Sequence, residues 1–288
     1  MFHVASVAVS FSMVLLLVSG CAGYGVGTKD RSITAQRIIG PAGALYVDDG
    51  GSGGIPVVFV HSFAGSKAHW LAQLTHLRKS RRAVALDLRG HGDSSRPAHN
   101  AYNEYAVESL AADIAAVADG LGLKRFVLVG HSMGAAAAIA YAGAHPERVA
   151  GLVLVGAPGK SPPEQSNKIM ASLEVDYEKL MEDYRKSILI GAQPKVERQL
   201  RAEMKSMPRD ASLAIIDAVF AYDPMLALNK YPGLKLLLDT PHGESPGSLH
   251  NLAPNIPRRV VTGTSHWPHL DKPKEFYQLL NAFLVNIS

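Results

Sequence analysis

Residues 126–140 read FVLVGHSMGAAAAIA: a strand-like apolar run, a Gly-x-Ser-x-Gly junction, and an alanine run that reads as helix. Few folds admit this order. A strand that turns within a few residues into a helix is half of a β-α-β unit. The other apolar runs share its character. ALYVD (44–48), PVVFVH (56–61), AVALDL (83–88), VAGLVLVG (149–156), LKLLL (234–238) and RRVVTG (258–263) are continuous rather than alternating, and most are separated by helical patterns. Continuous apolar runs suit strands covered on both faces. The expectation is an α/β fold: a mostly parallel twisted sheet with helices on both faces.

Composition fits one such domain. A chain of 288 residues with 47% hydrophobic content can bury a large core. Its net charge of +4 comes from Lys and Arg scattered among acids, and no basic patch suggests a nucleic-acid surface. Residues 158–228 change in character. They are charged, helical and broken by prolines, without a strand signal, and read as a helical lid inserted into a core of 44–157 and 229–288.

Residues 1–20 contain no Asp, Glu, Lys or Arg and end in small residues, as signal peptides do. The single cysteine, Cys21, follows Val18-Ser19-Gly20. That order resembles a bacterial lipobox and implies a lipidated Cys21 on an exported, envelope-anchored protein. Residues 21–43 are then the lipidated cysteine and its tether. With one cysteine the chain forms no internal disulfide.

A serine between two glycines at a strand–helix junction is either a helix cap or a nucleophile. The flanking strand and helix favour a nucleophile elbow at Ser132. Here the chain resembles the α/β-hydrolase fold family, and other segments carry the resemblance. PVVFVHSFAGSKAHW is similar to the family's oxyanion loop, with Ser62 where glycine is usual. By position it implies Phe63 N–H and Met133 N–H as the two oxyanion donors. DLRGHGDSS (87–95) resembles a structural turn of the family, so Asp87, Arg89 and His91 are expected to be structural, as is His61.

TGTSHWPHLDKPKEF (262–276) is similar to the family's histidine loop: a histidine, then a leucine, an acid, a proline and the last helix. The resemblance implies His266 as the base, with His269 its competitor. The family's acid follows the penultimate strand, here LLLDTPHGESPGSLHNL. Glu244 is the first choice, with Asp239 and Asp223 (in AYDPML) as alternatives. No metal or organic cofactor is implied. The remaining histidines, His69 among them, are expected to be solvated or structural, and Met133 and Trp267 are candidates for the pocket lining.

The resemblance implies a serine hydrolase acting on a small-molecule carboxylic ester or related acyl bond. A perhydrolase, a lactonase and a carbon–carbon bond hydrolase would use the same triad. A lipid-anchored binding protein on an inactive scaffold is the non-enzyme alternative. Serine rather than aspartate at the elbow argues against dehalogenase and epoxide-hydrolase chemistry.

Overall fold

The computed structural model describes residues 34–97, 102–241 and 245–287. Residues 1–20, Cys21 and Glu244 lie outside them. The strands are β1 (Thr34–Gly40), β2 (Gly43–Gly50), β3 (Val57–Val60), β4 (Ala83–Leu86), β5 (Phe126–His131), β6 (Val149–Val155), β7 (Lys235–Asp239) and β8 (Arg258–Val260). They form one sheet in the order β1-β2-β4-β3-β5-β6-β7-β8. β1, β2 and β4 pair antiparallel, and every pair from β4 across to β8 is parallel.

The continuous apolar runs of the central strands β3 to β6 are explained by cover on both faces, since every residue in them is buried. Along β5, Phe126 and Leu128 join a core with the helices Val107–Gly120 (α3) and Met133–Ala144 (α4). Val127 and Val129 point the other way, into a core with Leu71–Leu77 (α1) and Pro273–Leu284 (α12). Both sides of one strand are thus dry, so it carries no polar alternation.

One segment departs from the sequence reading. Residues 34–40, expected within the tether, form the edge strand β1 in full register with β2. TAQRIIG reads as polar because an edge strand faces water along much of its length. Ile39 is exposed, while Ile38 lies against Gly120 at the end of α3.

The segment expected as a lid holds the helices Pro163–Val175 (α5), Tyr177–Ile188 (α6), Pro194–Ser206 (α7), Arg209–Ala221 (α8) and Pro224–Lys230 (α9). Proline opens α5, α7 and α9 at positions where its missing N–H costs nothing. The Asp176 carboxylate caps α6 by accepting from Lys179 N–H at 3.2 Å.

Candidate active site

From β3 the chain crosses to β4 on one side, then returns to β5 on the other. That reversal is a topological switch point, and it opens a crevice at the carboxyl ends of β3 and β5. The loop 61–66 leaves β3 there, and Ser132 follows β5.

Ser132 has φ 52° and ψ −117°, a left-handed conformation that costs a non-glycine residue roughly 1–3 kcal/mol. Its N–H donates to Val155 O on β6 at 2.9 Å, and its carbonyl accepts from Ala135 and Ala136 as α4 begins. The side chain makes no capping hydrogen bond to α4, so a helix cap does not explain the serine. Close packing explains the two glycines. A Cβ on Gly130 would collide with Gly134 O, and one on Gly134 would collide with His61 O. The turn is therefore tight enough that only glycine fits on either side.

The imidazole of His266 lies over the end of β6. A Cβ built on Gly156 would stand 2.7 Å from His266 Cε1, and Gly156 follows the residue that anchors Ser132 N–H. A set of hydrogen bonds holds the histidine loop. His266 N–H donates to Ile188 O at the end of α6 at 3.0 Å, and His131 Nε2–H donates to His266 O at 2.8 Å. The buried Asp271 carboxylate accepts from Ser265 N–H at 2.8 Å, Ser265 Oγ–H at 2.5 Å and Gln193 N–H at 2.7 Å. Asp271 is the acid of the leucine–acid–proline pattern. The sequence marked it for recognition only, whereas the structure shows it tying the histidine loop to the segment between α6 and α7.

His269, the competitor, is fully buried and stacked on Trp70 with ring centroids 4.1 Å apart. Neither ring nitrogen has a hydrogen-bond partner among the described residues. Burial pushes its pKa, and that of His131, well below the usual histidine value, so both are neutral.

Phe63 and Met133 both border the cavity above Ser132. Trp267 does not. Its indole N–H donates to Ser62 Oγ at 3.2 Å, which joins the oxyanion-like loop to the histidine loop and gives the serine at position 62 a structural use. Ala64 in the same loop also has positive φ, at 55°.

The expected structural residues are structural. His61 Nδ1–H donates to Ser62 O at 2.8 Å and Nε2 accepts from Leu88 N–H at 3.0 Å. Asp87 accepts from Lys67 N–H, Lys67 Nζ and Asp93 N–H, and Arg89 pairs with the buried Asp113. Of the two possibilities expected for His69, solvated or structural, the second is observed. The residue is buried, and its Nε2 lies 2.7 Å from Glu203 Oε2 on α7. Proximity in sequence carries no signal of that long-range pair.

The carboxylates separate clearly. Asp239 ends β7, where Oδ2 accepts from Arg258 Nε at 2.8 Å and stands 3.6 Å from His250 Nδ1. Asp223 caps α9 through Met225 N–H at 3.0 Å and pairs with Lys160 at 2.7 Å, and the lysine holds its carboxyl below the usual carboxylate range. The structure therefore gives both alternatives cationic partners. Glu244, the first choice, lies outside the described residues.

A strained serine on a strand–helix turn, a histidine over the adjacent strand and a helical cover at the switch point define an α/β protein with its candidate site at the carboxyl edge of the sheet. Residues 55–206 match the alpha/beta hydrolase fold, and the chain belongs to that family. It is 40% identical over 110 residues to the dihydrolipoyllysine-residue acetyltransferase component of the acetoin cleaving system of Pseudomonas putida. That match covers 38% of this chain but only 29% of the relative's length. It is 26% identical over 257 residues to the sn-1-specific diacylglycerol lipase ABHD11 of Mus musculus, covering 80% of each. Among solved structures, Est816, described as an N-acyl homoserine lactone degrading enzyme, superposes with a TM-score of 0.74 at 25% identity. It covers 86% of this chain and all of that one.

Proposed function

We propose that the protein is a serine hydrolase that cleaves a carboxylic ester through an acyl-enzyme on Ser132. The observation that carries this reading is the positive φ of Ser132 at the switch point, a strain that a mere helix cap would not require. In this reading Ser132 Oγ bonds to the ester carbonyl carbon while His266 takes the hydroxyl proton. The carbonyl electrons move onto oxygen, where Phe63 N–H and Met133 N–H stabilise them. Collapse breaks the bond to the alcohol oxygen, which leaves with the proton from His266. Water then gives His266 a proton and bonds to the acyl carbon. Ser132 Oγ departs and recovers that proton, releasing the carboxylic acid.

Glu244 is assigned the orienting role, holding the imidazole tautomer and stabilising the imidazolium. The alternatives argue for it by their own engagements, Asp239 with Arg258 and Asp223 with Lys160. Glu244→Ala is accordingly expected to lower kcat by roughly 10⁴, as loss of a triad acid does elsewhere, and Asp239→Ala by far less. Steady-state kinetics on the two variants decide the matter, and the reverse ranking moves the acid to Asp239.

A fluorophosphonate probe tests the reaction class. The folded wild type should label covalently and Ser132→Ala should not. A well-folded wild type that fails to label is not a serine hydrolase. We propose in addition that Cys21 carries a lipid anchor, because its lipobox-like context follows an uncharged apolar leader. Expressed in a bacterial host, the protein should sediment with membranes and Cys21→Ser should not. Identical fractionation of the two would remove the anchor from the proposal.

A further inference from the structure

The cavity above Ser132 specifies what the substrate must carry. It measures about 340 Å³ and runs from Ser132 up to Leu173 on α5, Met181 on α6 and Ile215, Ile216 and Val219 on α8. Its walls are apolar apart from Ser132 and Tyr184, and no Lys, Arg, His, Asp or Glu among the described residues lines it. The helices that form its roof present this surface by ordinary helical periodicity, since Ile215, Ile216 and Val219 share one side of α8.

We infer that the substrate's acyl group is a neutral aliphatic chain of medium length. This rests on the acyl-enzyme reading above and extends it. Three arguments lead there. A charged group in this cavity would lose its water and gain no partner, which disfavours any acyl chain ending in a carboxylate or ammonium. The volume sets the length. Taking a chain carbon with its hydrogens as about the size of a liquid water, roughly 30 Å³, the cavity holds on the order of eight to ten carbons once imperfect filling is allowed. The third argument separates acyl from alcohol. The alcohol must depart before deacylation, whereas the acyl chain stays bonded to Ser132 through both half-reactions. A chain lying beneath α5, α6 and α8 suits the half that stays.

The test is a series of p-nitrophenyl esters from acetate to palmitate, run against acetate esters of alcohols of matching lengths. In the acyl series kcat/KM should rise about fourfold per added CH₂ up to roughly eight carbons and fall beyond about ten. The alcohol series should stay nearly flat. An ester with a terminal carboxylate on its acyl chain should react at least about a hundredfold more slowly than its methyl-ended counterpart. Val219→Trp and Ile216→Trp, which shorten the cavity from two positions, should each move the optimum down by about two carbons or more. Two variants are used so that misfolding of one does not decide the outcome.

Fluorophosphonate labelling of Ser132 is read first on the same preparations. Labelling with a flat acyl profile, or with an optimum that follows the alcohol, overturns the cavity assignment and leaves the serine mechanism standing. Absence of labelling overturns the serine mechanism itself.

Discussion

Ser132→Gly is expected to yield a protein that is more stable and no longer turns over substrate. The residue holds φ 52° and ψ −117°, where a side chain costs about 1–3 kcal/mol and glycine very little. Against this relief stands the larger entropy glycine loses on folding, about 0.5–1 kcal/mol. The net gain is about 1 kcal/mol, or a rise of a few degrees in Tm for a domain of this size. Turnover should fall on the order of 10⁶-fold, the loss typical when a serine nucleophile is removed. Ser132→Ala supplies the control, because it keeps the Cβ and the strain while losing the hydroxyl. Its Tm should match the wild type while its kcat falls as far as that of the glycine variant. Thermal melts and ester kinetics on the three proteins check this. A glycine variant less stable than the alanine variant would show that any strain at Ser132 is smaller than the entropy glycine loses on folding, about 0.5–1 kcal/mol.

The elbow was readable because its causes are local. Gly130 meets backbone atoms of Gly134 and Ala135, so the sequence spacing itself encodes that side of the turn, while Gly134 answers to His61 O beyond the neighbouring strand. The continuous strands were readable for a related reason, since burial on both faces leaves a mark at every position. The contacts that hold the candidate site together were not. Asp271 reaches Gln193 across seventy-eight positions, Trp267 reaches Ser62 across 205, and His69 reaches Glu203 across 134. Each is a side chain choosing a distant partner, and no periodicity records such a choice. The edge strand β1 failed to register for another reason. Its apolar residues, Ile38 and Ile39, are adjacent and fall at its end, after the polar Gln36 and Arg37, so neither an alternating nor a continuous apolar pattern marks it. The cavity was hidden because helical periodicity shows that Leu173, Met181 and Ile215 are turned inward without showing that they face one another across a space.

That same inward packing has a consequence for pH. Four histidines, His61, His91, His131 and His269, are buried and neutral. Burial is the leading cause in each case, and it brings His91 down to about 4. In the unfolded chain these groups titrate near 6.5. Between that value and their folded values the unfolded state binds more protons, so stability rises with pH and is lost as pH falls below about 6.5. His91 alone then forfeits about 3 kcal/mol by pH 4, and the other three act with the same sign. His61 shows the structural reason, since protonating its Nε2 would break the bond it accepts from Leu88 N–H. Asp113 acts weakly in the opposite sense, because burial raises its pKa and protonation at low pH is easier in the fold. A domain stable by about 5–15 kcal/mol cannot absorb the histidine terms without a large change. The melting temperature should therefore be level above pH 7 and drop by about 10 °C or more between pH 6.5 and 4.5. His269→Phe should raise stability by about 1–3 kcal/mol, because it replaces a buried imidazole without hydrogen-bond partners among the described residues by a ring that stacks on Trp70 equally well. The same variant should flatten the acid slope, since one proton fewer is taken up on unfolding. Melts of both proteins from pH 7.5 to 4.5 measure the two effects together. A wild-type Tm that stays level across that range would mean that these imidazoles are not held neutral by the fold, and parallel slopes for the two proteins would remove His269 from the set.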